Sequence, residues 1–347
     1  MYFFTLLLKI FMLFGILSMS AIAEDKKTIL DSANNSVLIP NEVEKIVTIG
    51  AVPVISSFIF TLGKGEAIIN GLPLRFKNYY MTNKLYDALA PNASKNSYLL
   101  DGMNAGVNAE LLLKDNPQIV FTMDSAVANS LQDKGLNAAS LQWRKEKDIK
   151  NIMLFLGDLM GVKSRALEYN HYLEEKLSFV KSITNQIPPK QKKKVLYFDY
   201  KSMMTPHLIV DWWITSAGGI SLSDSTRKIE RFSFSHEQII VMNPDIIILS
   251  NPNDVESLYK NRKFSSLSAV KNRRVYVSPH GMHIWAYRTS EQPLMVLWAA
   301  KIFYPEYFKD LDIREETRIF YEQFMKYKLT EQDISTILKP IPTGGIE

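Results

Sequence analysis

Between Lys163 and Ile187 the apolar side chains Leu167, Leu173, Leu177, Val180, Ile183 and Ile187 recur at steps that suit a 3.6-residue period. No Gly or Pro interrupts the run, and Pro188-Pro189 stops it. At 1.5 Å per residue such a helix reaches roughly 37 Å, longer than an ordinary globular helix. On both sides of it the pattern alternates. Short apolar runs at Asn35–Pro40, Lys45–Ile49, Ala67–Gly71, Gln118–Thr122 and Ala138–Gln142 predict strands, with helices over Val54–Leu62, Ser125–Asp133 and Asp148–Met160. Beyond the two prolines, Lys194–Asp199 and Arg274–Val277 predict strands. His207–Ala217, Thr289–Phe303 and Arg314–Tyr327 predict helices there. Leu72–Ser97 reads as long and irregular, rich in Tyr, Asn and Lys.

One unit occurs twice. In Asn108–Phe121, Glu110 is followed seven residues later by Pro117, and Asn116 precedes that proline. In Ser235–Ile248, Glu237 is followed seven residues later by Pro244, preceded by Asn243. Each proline leads, after one polar residue, into an apolar strand: Ile119-Val120-Phe121 and Ile246-Ile247-Ile248. One copy lies before the long helix and one after it, which argues for two related lobes. The expected architecture is α/β: two Rossmann-like lobes with mainly parallel sheets, joined by one long helix, with a ligand cleft between them. The expected boundaries are residues 24–160, 161–189 and 190–340.

Composition narrows the class without naming a ligand. The 347 residues, 46% hydrophobic and 22% charged, describe a folded globular chain. There is no cysteine, so disulfides, thiolate metal sites and a lipidated N-terminal Cys are excluded. Met1–Ala23 is apolar and ends in Ala21-Ile22-Ala23, an A-x-A cleavage pattern before Glu24-Asp25. It reads as a cleavable signal for export to the periplasm, with an uncleaved anchor as the alternative. The net charge of +5 is mild; the dense basic run at Lys190–Lys194 reads as a solvated loop between the lobes, and nothing suggests nucleic acid. Glycine-rich nucleotide loops, G-x-S-x-G and H-E-x-x-H are absent, so no enzyme is expected.

On the paired Glu units, the Lys45–Thr48 opening strand, Ala217-Gly218-Gly219 and Arg273–Tyr276, the chain resembles the ABC-importer substrate-binding proteins that handle metal chelates: ferric siderophores, haem, cobalamin and nickel complexes. The resemblance implies a monomeric periplasmic receptor that delivers cargo to a membrane permease, docking through Glu110 and Glu237, without a prosthetic group. The cargo would carry Fe(III) or Ni(II). A ferric siderophore is the first expectation and a nickel–histidine-type chelate the alternative; haem, cobalamin, a secreted α/β enzyme and an anchored envelope protein are more remote.

Ligands of open α/β sheets bind beyond the carboxyl ends of the strands, so the loops there supply the candidates. These are Arg75, Met103, Asn104, Trp143 and Arg144 from the first lobe, and Tyr200, Met203 and Met204 from the second. The segment His280–Arg288 adds His283, Trp285 and Arg288. His280 and His283 are candidate metal contacts, because imidazole suits nickel, copper, zinc and iron. The arginines offer donors to an anionic chelate and the tryptophans flat apolar faces. His171 is expected to be structural, and His207 and His236 to be surface residues or caps.

Overall fold

The computed structural model describes residues 26–32, 34–76, 79–94, 107–223 and 227–338. The expected signal segment, Met103 and Asn104 lie outside those residues. Two parallel sheets organise the chain. In the first lobe β3 (Ile46–Thr48), β4 (Ile119–Thr122) and β5 (Ala138–Ser140) pair in that order. In the second the order is β11 (Val275–Val277), β10 (Ile246–Leu249), β6 (Lys194–Phe198) and β8 (Ile220–Ser221). All four residues of β4 and of β10 are buried, which is why both read as unbroken apolar runs rather than alternating ones. Two antiparallel pairs flank the sheets: β1 (Lys26–Leu30) with β2 (Ser36–Pro40), and β7 (Met204–Thr205) with β9 (Phe232–Ser233).

The helices are α1 (Val52–Thr61), α2 (Tyr80–Leu89), α3 (Ala109–Asp115), α4 (Ser125–Gln132) and α5 (Glu146–Leu159) in the first lobe. The long helix α6 (Lys163–Thr184) follows. Then come α7 (Ile209–Ser216), α8 (His236–Met242), α9 (Asp254–Lys260), α10 (Ser268–Lys271), α11 (Gln292–Phe303), α12 (Ile313–Phe324) and α13 (Glu331–Leu338). The stretch expected to be irregular contains α2, and Ala67–Gly71 forms only a bridge between Ile46 and Ile68 instead of a strand.

The repeated unit is a structural repeat. Asn108 caps α3 by accepting from the Leu111 amide at 3.0 Å. Ser235 caps α8 by accepting from Gln238, whose side chain returns to the Ser235 amide at 2.7 Å. Each helix ends on an asparagine in the left-handed region, Asn116 at φ 48° and Asn243 at φ 42°. The following proline disfavours a right-handed helical residue there, and asparagine tolerates the left-handed one.

Helix α6 buries Tyr169, Tyr172, Leu173 and Val180, whereas Leu167 is 54% exposed. The apolar stripe is therefore rotated from the expected one, and the two tyrosines pack edge-on against Phe324 of α12. A Cβ on Gly157 of α5 would lie 2.5 Å from the Ala166 Cβ, so glycine permits the close α5–α6 approach. One hydrophobic cluster runs from Phe58 in the first lobe through Tyr169 and Leu173 to Trp213 and Phe303 in the second. Two lobes that share a core have little freedom to separate.

Candidate functional site

Strands β6, β10 and β11 run at their carboxyl ends into Asp199, Ser250 and Ser278, and all three line a cleft of about 670 Å³. That volume suits a small molecule. The first lobe supplies the facing wall through Arg75, Phe76 and Tyr79. Arg75 donates to the carbonyl of Gly50 and lies over the Phe76 ring. Asp199 accepts from the Ser202 amide at 2.8 Å, the Ser202 hydroxyl at 2.7 Å and Ser250 at 3.3 Å.

The remaining wall is the segment that follows β11, and it owes its shape to one buried carboxylate. Glu291 Oε1 accepts from the Met282 amide at 3.1 Å, from the Trp285 indole at 2.8 Å and from the Tyr321 hydroxyl. Burial raises the Glu291 pKa to about 7, against the pull of these donors. A Cβ on Gly281 would stand 1.9 Å from the same oxygen, so only glycine fits the turn. Gln292 donates to the carbonyls of Trp285 and Tyr287. The His280 amide donates to Ile337 of α13 at 2.9 Å.

Held this way, His280 and His283 face the cleft with ring centroids 5.5 Å apart. Tyr79 packs on both, at 4.5 and 5.9 Å, and Phe76 and Tyr287 meet the His283 ring edge-on. His280 Nε2 lies 3.1 Å from the Thr82 hydroxyl. His283 is 7% exposed, and its Nδ1 has no hydrogen-bond partner. Burial lowers the His280 pKa to about 4, and burial, with His280, His207 and Arg75 nearby, drives His283 lower than usual too. Both rings are therefore neutral near pH 7, the form in which imidazole binds a metal. Among the described residues, no three His, Cys, Asp or Glu converge to hold a metal ion.

Beside the cleft lies an ionic cluster. Glu230 accepts from Arg144 Nε at 2.9 Å and from Arg288 Nη2, and takes the Leu208 amide at 3.1 Å. His207 Nδ1 is 3.8 Å away. Burial opposes ionisation of Glu230, but His207, Arg288, the Leu208 amide and Arg144 together outweigh it and hold the pKa at about 2. Burial lowers the pKa of His207 itself.

Of the residues expected from sequence, Arg75, His280 and His283 meet in the cleft. Trp143 and Trp285 do not reach it. They are 1% and 0% exposed, and their indoles donate to the Arg288 carbonyl and to Glu291. Each has its polar edge satisfied inside the core, so these two are corrected to packing residues. Arg144 and Arg288 both pair with Glu230, and neither lines the cleft. Tyr200 packs on Phe264 and bonds Asn261, while Met203, at φ 52°, packs with the outer core of the second lobe. Met204 lies on β7. None of these three lines the cleft. His207, expected at the surface, packs against Tyr287 at 5.1 Å. Asp199 and Ser250 were missed, although each stands at the carboxyl end of an apolar strand signal. Phe76 and Tyr79 lie in the Tyr-rich stretch Leu72–Ser97 but were not singled out there, and nothing in the sequence pointed to Glu230.

Two parallel sheets on one long helix, with a cleft at the strand ends, form an arrangement that the chain shares with solved periplasmic binding proteins. A family model described as periplasmic binding protein matches residues 132–280. The molybdate-binding protein MolA of Haemophilus influenzae is 26% identical over 113 residues, a match that spans 32% of each chain. A periplasmic solute-binding protein from Veillonella parvula superposes with a TM-score of 0.74 at 28% identity, covering 90% of this chain and 97% of that one. Helicobacter pylori CeuE, in a nickel–histidine complex, gives a TM-score of 0.73 at 19% identity, covering 91% and 100%.

Proposed function

We propose that this protein is the receptor of an ABC importer and captures a chelate of an imidazole-seeking divalent metal, of which Ni(II) is the example. The observation that carries the reading is the His280–His283 pair: two neutral rings on one cleft wall, 5.5 Å apart. Two imidazoles fall short of a protein-only site, so a small chelator on the cargo would fill the other coordination positions. Leaving a buried ring nitrogen unpaired costs about 1–3 kcal/mol, which a bond from His283 Nδ1 to the metal would recover.

A ferric siderophore is the second reading. Hard Fe(III) prefers oxygen donors and brings a saturated, often anionic complex. The cleft lining holds one arginine, Arg75, and one carboxylate, Asp199, and the neighbouring arginines are both turned onto Glu230, so little cationic charge faces an anionic cargo, which favours the nickel-type one. The same balance disfavours an oxyanion such as the one MolA is named for.

Glu110 and Glu237 are the proposed contacts with permease arginines. They stand in the first turn of equivalent helices, and both are exposed. The Glu237 backbone amide and Ser235 hold its pKa below the usual range. Binding of nickel with excess histidine, followed by tryptophan fluorescence, tests the cargo. Loss of uptake with intact binding in Glu110→Ala/Glu237→Ala tests the docking.

A further inference from the structure

Glu230 fills a seat built for an anion. Its two guanidinium partners come from different parts of the molecule: Arg144 from the first-lobe loop after β5, Arg288 from the segment after the cleft wall. Arg144 is 50% exposed and Arg288 12%. Both are permanently charged, and both are directed at one carboxylate. The seat is also underfilled. Glu230 takes Arg288 Nη2, while the buried Nε of Arg288 has no hydrogen-bond partner. A carboxylate or tetrahedral oxyanion engaging Arg288 from the side would use both donors.

Glu230 is delivered to this position by a rigid post. Arg227 Nε pairs with Asp211 at 2.7 Å, and both side chains are over nine-tenths buried. The other nitrogens of Arg227 donate to the carbonyls of Ile229, Glu230 and His207. The cluster adjoins the cleft directly: Arg288 follows Tyr287, which lines the cleft and touches the His207 ring.

We propose that Glu230 is a specificity-determining residue, a resident carboxylate that occupies a two-arginine anion seat spanning the lobes and so excludes oxyanions and free carboxylates from the cargo site. The inference builds on the reading of the cleft as a cargo site, but its test needs no metal chelate, so the two fail separately.

The probe is sodium molybdate, titrated calorimetrically into the full mature chain. Wild type gives no saturable heat at millimolar anion. Glu230→Gln, of nearly the same shape, gains saturable binding at least tenfold tighter than wild type, and adding Arg144→Gln abolishes the gain. Molybdate binding by wild type, or a folded Glu230→Gln protein without any gain, overturns the proposal. If Glu230→Gln does not fold, arginine Nε NMR signals of wild type decide. Arg144 and Arg288 must stay unmoved through the molybdate titration, and movement of either overturns the assignment.

Discussion

The hydroxyl of Tyr169, in the second turn of α6, donates to the carbonyl of Ser290 at 2.7 Å. Ser290 also gives its amide to the Ser57 hydroxyl, gives its own hydroxyl to the Ser57 carbonyl, and accepts from Thr61, both residues of α1. Three parts of the chain thus meet at one buried residue: the first-lobe helix, the connecting helix and the start of α11. Each polar group there has a partner, so shifting one lobe against the other would break several buried bonds at once. Tyr169→Phe leaves the Ser290 carbonyl unpaired and should cost about 1–3 kcal/mol in urea unfolding. A change too small to measure would show that the seam does not bear on stability.

A stiff seam also limits closure. Small-angle scattering with and without bound cargo should show the radius of gyration changing by no more than about 1 Å, as for preorganised partners. A contraction of several ångströms would point to a free hinge.

Glu291 gives a pH dependence whose sign follows from burial. Its pKa is raised from the ordinary 4.5 to about 7 in the folded chain. Between those values the folded state binds the proton more tightly than the unfolded one, so stability falls as pH rises through the window. Relative to Glu291→Gln, wild type should lose ~3 kcal/mol between pH 4.5 and 7.5. Urea curves at the two pH values check this, and a wild-type advantage that grows with pH would contradict it.

The tryptophans separate packing from binding. Trp143 is 1% exposed and meets Phe58 edge-on at 4.8 Å. Trp143→Ala should cost roughly 3–5 kcal/mol, whereas Trp143→Phe should leave cargo affinity within threefold of wild type. Loss of affinity in a stable Trp143→Phe protein would return this residue to the cleft.

Docking makes a prediction of its own. Glu110→Ala/Glu237→Ala should bind cargo as wild type does and fail to stimulate ATP hydrolysis by the permease in proteoliposomes. Full stimulation would leave the two carboxylates as helix-end stabilisers alone.

Features that repeat or run long were legible in the sequence. Pro117 and Pro244 announced the helix ends and the buried strands behind them, because proline and an all-apolar run constrain the backbone locally; the left-handed asparagines emerged only in the structure. The long helix was visible for the same reason, although Leu167 was assigned to the wrong face: Tyr169 and Tyr172 do its packing. The His280–His283 pair stood out by composition. Glu230 and Tyr79 did not, since their roles come from chain segments brought together by the fold. Trp143 and Trp285 misled because an aromatic residue after a strand suits a ligand face and a core equally well.

The most direct test is a fluorescence titration of the purified protein with Ni²⁺ plus excess histidine, free Ni²⁺, ferric siderophores, haem and cobalamin. The account predicts saturable, submicromolar quenching by the nickel–histidine mixture, weakened at least tenfold in His283→Ala. Flat traces for every metal chelate, or unchanged affinity in His283→Ala, would contradict it.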